Sequence, residues 1–208
     1  TARVALDRTG DRRWRIEVAS RDVPGLLARV SGVLADHGLD VVEASVATWG
    51  DGGAIESFTV ERAPLDPPRL DEAAVLEASG PDPSALETSI AAAFSSPLVS
   101  PPNPDAEIVF DDAASPWYTL CEVRSPDRRG LLHMITVGLA SAGASVHSAR
   151  LVTTGGQAVD RFELTDSAGR KLTRDQKAAV RTALVEGVVP TRGRRARRRA
   201  AAALAAFG

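Results

Sequence analysis

The chain has 208 residues, of which 44% are hydrophobic and 25% charged, with a net charge of −2. That is the make-up of folded protein, and it provides no general electrostatic pull toward nucleic acid or an anionic membrane. A single cysteine, Cys121, excludes an internal disulfide framework and fits a reducing cytoplasm.

Aromatic residues make up only 4%, so aliphatic side chains and alanine must fill the core. No uninterrupted apolar run is long enough to span a bilayer. Residues 1–13 read as a polar lead without a signal-peptide core, and the missing initiating methionine fits a processed or cut-down chain.

In chain order, Trp14, Ile16 and Val18 alternate with Arg15 and Glu17, which predicts a half-buried strand. A turn containing Asp22 and Gly25 follows. Leu26, Leu27, Val30, Val33 and Leu34 then fall at helical spacing up to His37-Gly38, where glycine suits a left-handed C-terminal cap. Val42, Ala44, Val46 and Thr48 alternate as a second strand. Asp51-Gly52-Gly53 marks a hairpin into a third strand holding Phe58 and Val60. A Pro-rich insertion at about 63–81 carries a short helical patch, Leu70 to Ala78. A second helix is expected over Asp82 to Ser95, then a Pro-rich connection to Pro104. Glu107 to Phe110 is the expected fourth strand.

The pattern then repeats. Asp22-Val23-Pro24-Gly25-Leu26-Leu27 recurs as Asp127-Arg128-Arg129-Gly130-Leu131-Leu132, an offset of 105 residues. The register holds through Gly38 and Gly143, Ala44 and Ala149, and Thr48 and Thr153. One residue is then dropped, so that Phe58 matches Phe162. A register kept across several motifs points to duplication. The second copy should hold a strand over Trp117 to Val123 and a helix over Leu131, Leu132, Ile135 and Leu139, ending at Gly143. A strand with His147, Ala149, Leu151 and Thr153 follows, then a turn at Gly155-Gly156 and a strand at Phe162-Leu164. A helix over Arg174 to Glu186 is capped by Thr173. Val188-Val189 is a weak fourth strand.

These orders predict an α+β chain of two tandem ferredoxin-like βαββαβ modules, antiparallel sheets with helices on one face. The expected boundaries are a lead at 1–13, module one at 14–112 and module two at 115–189. A basic tail at 190–208 carries Arg192, Arg194, Arg195, Arg197, Arg198 and Arg199.

The Asp-x-x-Gly-Leu-Leu turns give the chain a resemblance to the ACT domain family, regulatory modules that bind amino acids. The stretches Ser125 to Leu132, His147 to Arg150, Thr153-Thr154-Gly155 and Val159 to Phe162 are similar to the ACT pairs that end bacterial PII uridylyltransferases. Arg129 departs from the pattern, which has proline there, as Pro24 does. The resemblance implies an allosteric sensor of a small amino acid, glutamine first, reporting to catalytic domains or to a PII-type protein. It also implies self-association through edge strands. A freestanding amino-acid-binding or scaffold protein is the alternative, and a nucleic-acid module a further one. No Gly-Ser motif with an Asp-x-Asp pair and no His-Asp cluster is present, so no catalytic centre and no cofactor are expected. His37, His133 and His147 do not have metal-ligand spacing.

The turn is the chemical focus. Glycine permits positive φ and close approach of a ligand, and free amides at a helix start attract a carboxylate. The candidate ligand-binding residues are Asp22, Val23, Pro24, Gly25, Leu26, Asp127, Arg128, Arg129, Gly130 and Leu131, with Ser148 and Arg150 on the neighbouring edge strand. Asp22 and Asp127 read equally as acceptors for a ligand ammonium and as plain helix caps. Glu56 and Asp160 sit two residues before each strand-three phenylalanine and share its core face. A carboxylate there needs a partner or water. A strand-end position with water is the first reading, and ligand contact the second.

Overall fold

The computed structural model describes residues 2–62 and 80–189. The first half runs β1 (Arg3–Gly10), β2 (Arg13–Arg21), α1 (Leu26–Asp36), β3 (Leu39–Thr48), β4 (Gly53–Arg62) and α2 (Pro83–Ala93). The second runs β5 (Glu107–Asp111), β6 (Thr119–Pro126), α3 (Leu131–Ser141), β7 (Ser145–Thr154), β8 (Gln157–Thr165) and α4 (Arg174–Glu186). All eight strands form one antiparallel sheet in the order β1-β2-β4-β3-β7-β8-β6-β5.

Each half is a four-stranded ferredoxin-like sheet carrying two helices. The edge strand, however, comes before each copy rather than after it, so the observed element order is ββαββα in place of βαββαβ. The expected polar lead contains β1, which pairs with β2 over most of its length. Its Val4 and Leu6 pack against the core, as buried Ala2 does just ahead of it. Glu107 to Phe110 is indeed in a strand, but its partner is β6 of the second copy. Copy two has no fourth strand at its end among the described residues. Val188 makes a single bridge with Ser100.

The other local expectations follow the chain closely. Asp82 caps α2 through Ser84 N, and Thr173 forms a capping box with Gln176 at α4. Gly38 and Gly143 close α1 and α3 at φ 72° and 74°. Trp117 is the exception. It lies outside β6 and is 73% exposed, and Thr119 is the residue that pairs into the sheet at the position of Trp14. The Pro-rich insertion with its helical patch, save its last two residues, and the Arg-rich tail lie outside the described residues.

The two copies join through the middle of the sheet and of the helix layer. β3 and β7 pair as Glu43↔Arg150, Ala44↔Ala149 and Ser45↔Ser148. Ala44 and Ala149 are the same position of the repeat, so the join is a pseudo-two-fold centred on them. Above it α1 packs on α3, where the hydroxyls of Ser31 and Thr136, again equivalent positions, stand 3.2 Å apart. His133 Nδ1 lies 2.7 Å from Ala28 O. α2 packs beside α1 and α4 beside α3, so each copy contributes one half of a single core.

Candidate ligand-binding site

Each Asp-x-x-Gly-Leu-Leu segment forms a tight turn between a strand end and a helix start. Asp22 N–H donates to Gly52 O at 3.0 Å, and Asp127 N–H to Gly156 O at 2.9 Å, which ties both turns to the neighbouring hairpins. Gly25 and Gly130 stand before their helices at φ 77° and 74°, a conformation glycine adopts at little cost. No side chain caps either helix, so Asp22 and Asp127 are not N-caps. The amides of Leu27 and Ala28, and of Leu132 and His133, have no backbone acceptor among the described residues. They remain directed out of the helix starts.

Two cavities lie where each turn faces the other copy. The first-turn cavity, ≈ 420 Å³, is bounded by the Asp22–Ala28 segment and by residues 144–147 at the beginning of β7. The second-turn cavity, ≈ 570 Å³, is bounded by the Asp127–His133 segment and by residues 39–42 of β3. The repeat offset carries 39–42 onto 144–147, so the cavities are related by the pseudo-two-fold. The structure thus brings Asp22, Val23, Pro24, Gly25 and Leu26 together at one site. It brings Asp127, Arg128, Arg129, Gly130 and Leu131 together at the other. Ser148 and Arg150 border neither cavity. They lie in the β3–β7 pairing, where Arg150 stands 3.6 Å from Glu43 on the exposed sheet face. The ladder that joins the copies uses these positions, so the part of each strand that borders a cavity is its beginning.

Two buried acids, Glu56 and Asp160, also border the cavities. Glu56 borders the first-turn cavity and Asp160 the second. Glu56 is 1% exposed, and neither carboxylate oxygen has a hydrogen-bond partner. Burial, reinforced by the nearby Asp22 charge, pushes its carboxyl up to about 8. Asp160 is raised to about 7 by burial and by Asp127. Asp40, at the second-turn cavity, is raised by burial and by Asp127 against the opposing pull of Arg129. The alternation rule placed both acids on the core face correctly. What it could not show is that a cavity opens beneath them.

The surroundings of the two sites differ. The second-turn cavity has Arg13, Arg128 and Arg129 on its wall, and Arg129 donates from Nε and Nη2 to Ala35 O at 3.1 and 2.6 Å. The first-turn cavity has no lysine or arginine among its described lining residues. His147 stands there, its Nε2 2.9 Å from Thr165 Oγ1 and its ring against Tyr118, with its pKa lowered chiefly by burial. His37 ends α1 with Nε2 2.9 Å from Ser89 Oγ. Cys121 faces the core, where burial pushes the thiol up to about 12, the opposite of an activated thiolate. Trp14, Phe58 and Phe162 are buried and unavailable for base stacking. Among the described residues no group of His, Cys, Asp or Glu is arranged to hold a metal, and no helix is long and apolar enough to cross a membrane.

A model of the ACT domain family matches residues 14–75. Those residues are an ACT domain. The second copy repeats its register and its strand order, which makes the described chain an ACT pair. The chain is 31% identical over 186 residues to the bifunctional uridylyltransferase/uridylyl-removing enzyme of Rhodospirillum rubrum, covering 84% of this chain and 19% of that protein. It is 33% identical over 173 residues to the enzyme of the same name from Gluconobacter oxydans, covering 76% of this chain and 18% of that one. The ACT pair thus spans about a fifth of the length of these curated relatives. Among solved structures, aspartate kinase from Synechocystis is similar at 17% identity and a TM-score of 0.41, over 81% of this chain and 26% of that one.

Proposed function

We propose that the ACT pair is an amino-acid sensor, glutamine favoured, that regulates a uridylyltransferase of the kind its relatives are named for. The observation that supports the reading best is the pair of cavities between the turn of one copy and the edge strand of the other. Each offers unpaired helix-start amides for a carboxylate and acidic side chains for an ammonium. Each is walled by both copies, so a ligand held there favours the packing of the copies that closes around it. That differential affinity is what coupling to a distant active site requires. The join to be biased is short, three strand pairs beneath one helix contact. Glutamine is chosen by the kinship with these enzymes; an amino-acid ligand as such is supported by the amides and acids together. Catalytic domains on a longer chain, or a PII-type protein, are the proposed recipients of the signal.

The test is a thermal-shift screen of the chain against the common amino acids at millimolar concentration. A ligand at about 100 times its Kd adds roughly 3 kcal/mol to the folded state, enough to raise Tm by several degrees at this size. Glutamine is expected to give the largest shift. A larger shift with another amino acid discards glutamine and keeps the sensor. No shift with any, in a folded sample, removes the sensor reading.

A further inference from the structure

The proposed sensor treats its two cavities alike, but their chemistry is not alike. In the first-turn cavity the acid from β4 is a glutamate, and neither of its oxygens has a partner. Such a group, almost wholly buried, is costly unless something binds it. β3 supplies Val46 and Thr48, neither of them charged. The turn after β2 supplies Asp22, another acid. α3 supplies Thr136 and Ala140, both uncharged. β7 supplies His147, which burial holds toward its neutral form. The loop after β8 supplies Asp166, whose carboxylate is already engaged by the Ala168 and Arg170 amides and the Arg170 guanidinium. No cation from the described chain answers Glu56. At the second-turn cavity, by contrast, arginines share the wall with the acids.

We propose that the first-turn cavity seats the protonated amino group of its ligand on Glu56, with the ligand carboxylate on the amides of Leu27 and Ala28. The inference rests on the amino-acid reading and adds the group that selects within it. This site takes an α-amino acid with a neutral or cationic side chain, disfavours one with an anionic side chain, and rejects the same molecule without its amine. Filling also moves a proton. The empty glutamate, raised to about 8, is largely protonated at pH 7. The arriving ammonium brings it to the carboxylate, and the released proton passes to the buffer.

The experiment has two stages. The twenty protein amino acids are screened by thermal shift against the full chain as wild type, Glu56→Gln and Asp160→Asn, with circular dichroism confirming that each is folded. The amino acid with the largest shift, and its counterpart lacking the α-amine, are then titrated calorimetrically at pH 7 in phosphate and in Tris. The two buffers differ in ionisation enthalpy and so report proton release. The expected result is discrimination against the amine-free molecule by at least about 100-fold, with close to one proton released at the first-turn site. In Glu56→Gln the first-turn binding and its proton release disappear, leaving only second-turn binding; in Asp160→Asn the first-turn binding and its proton release remain and only second-turn binding changes. Unchanged affinity, discrimination and proton release in Glu56→Gln overturn the assignment while leaving the sensor reading intact. Loss in Asp160→Asn alone overturns it in favour of the second-turn cavity. No shift with any amino acid in the wild type removes the sensor and this assignment together.

Discussion

A buried, unpartnered carboxylate makes stability depend on pH even without ligand, and Glu56 allows the effect to be sized. Its folded pKa is about 8 against an ordinary 4.5. Between those values the folded protein keeps a proton that the unfolded chain has lost. Stability is therefore fully present below about pH 4.5 and declines as pH rises toward 8, by up to about 1.4 kcal/mol per pH unit. From pH 5 to 7 the loss from Glu56 alone is roughly 2–3 kcal/mol. Asp160, raised to about 7 from 3.8, works in the same direction over a lower window. Chemical denaturation of wild type and Glu56→Gln at pH 5, 6, 7 and 8 separates them. The variant is expected to lose the Glu56 decline and keep the slopes set by the other shifted groups, Asp160 and Asp40 falling with pH and His147 rising, so that it is much flatter above pH 7 than wild type. The difference between the two proteins isolates Glu56 from every other titrating group. Parallel pH profiles for wild type and Glu56→Gln would refute the claim that this carboxylate is buried without a counter-ion.

Two further substitutions test the turns and the join. Gly25→Ala and Gly130→Ala each force a side chain into positive φ, a cost of about 1–2 kcal/mol. At Gly25 the added Cβ would also stand 2.5 Å from Leu98 Cδ1 and 3.4 Å from Ala140 Cβ, while at Gly130 its nearest neighbour is Ala35 Cβ at 3.8 Å. The closer contact at Gly25 is with the end of the flexible, half-buried Leu98 side chain, so urea unfolding should show Gly25→Ala the more destabilised, by less than about 1 kcal/mol; a greater loss in Gly130→Ala would contradict the packing around Gly25. Arg150→Ala removes an ion pair whose two side chains are well exposed. The same assay should show a change of less than about 1 kcal/mol, fading with salt. A larger loss would mean that the exposed sheet face contributes to the join more than its ladder implies.

The repeat made most of the fold legible. Holding one register across Gly25 and Gly130, Ala44 and Ala149, and Phe58 and Phe162 fixed the strands and helices of both copies together. Two features escaped for physical reasons. Val4 and Leu6 alternate as a strand should, but Arg3, Asp7 and Arg8 surround them, because an edge strand shows much of its surface to water. Glu107 to Asp111 lies between the copies in sequence, and only pairing decides which half receives it. The site was legible at the turns, where glycine and aspartate recur in both copies. Ser148 and Arg150 fall instead in the β3–β7 ladder, because the beginning of such a strand and its middle look alike in sequence while only the middle carries the pairing. Glu56 was visible as a charge on a core face, but a cavity beneath a strand is formed by residues from five other segments, and no local pattern announces it.

Calorimetric titration decides whether an amino acid binds in the cavities shared by the two copies. Glutamine, or whichever amino acid shifts Tm most, would be titrated into wild type, Asp22→Ala, Asp127→Ala and the double variant. Saturable binding to wild type that weakens at least tenfold in one or both single variants, and vanishes in the double variant, is the expected result. Binding of undiminished affinity to a folded double variant, or no heat with any amino acid, would contradict it.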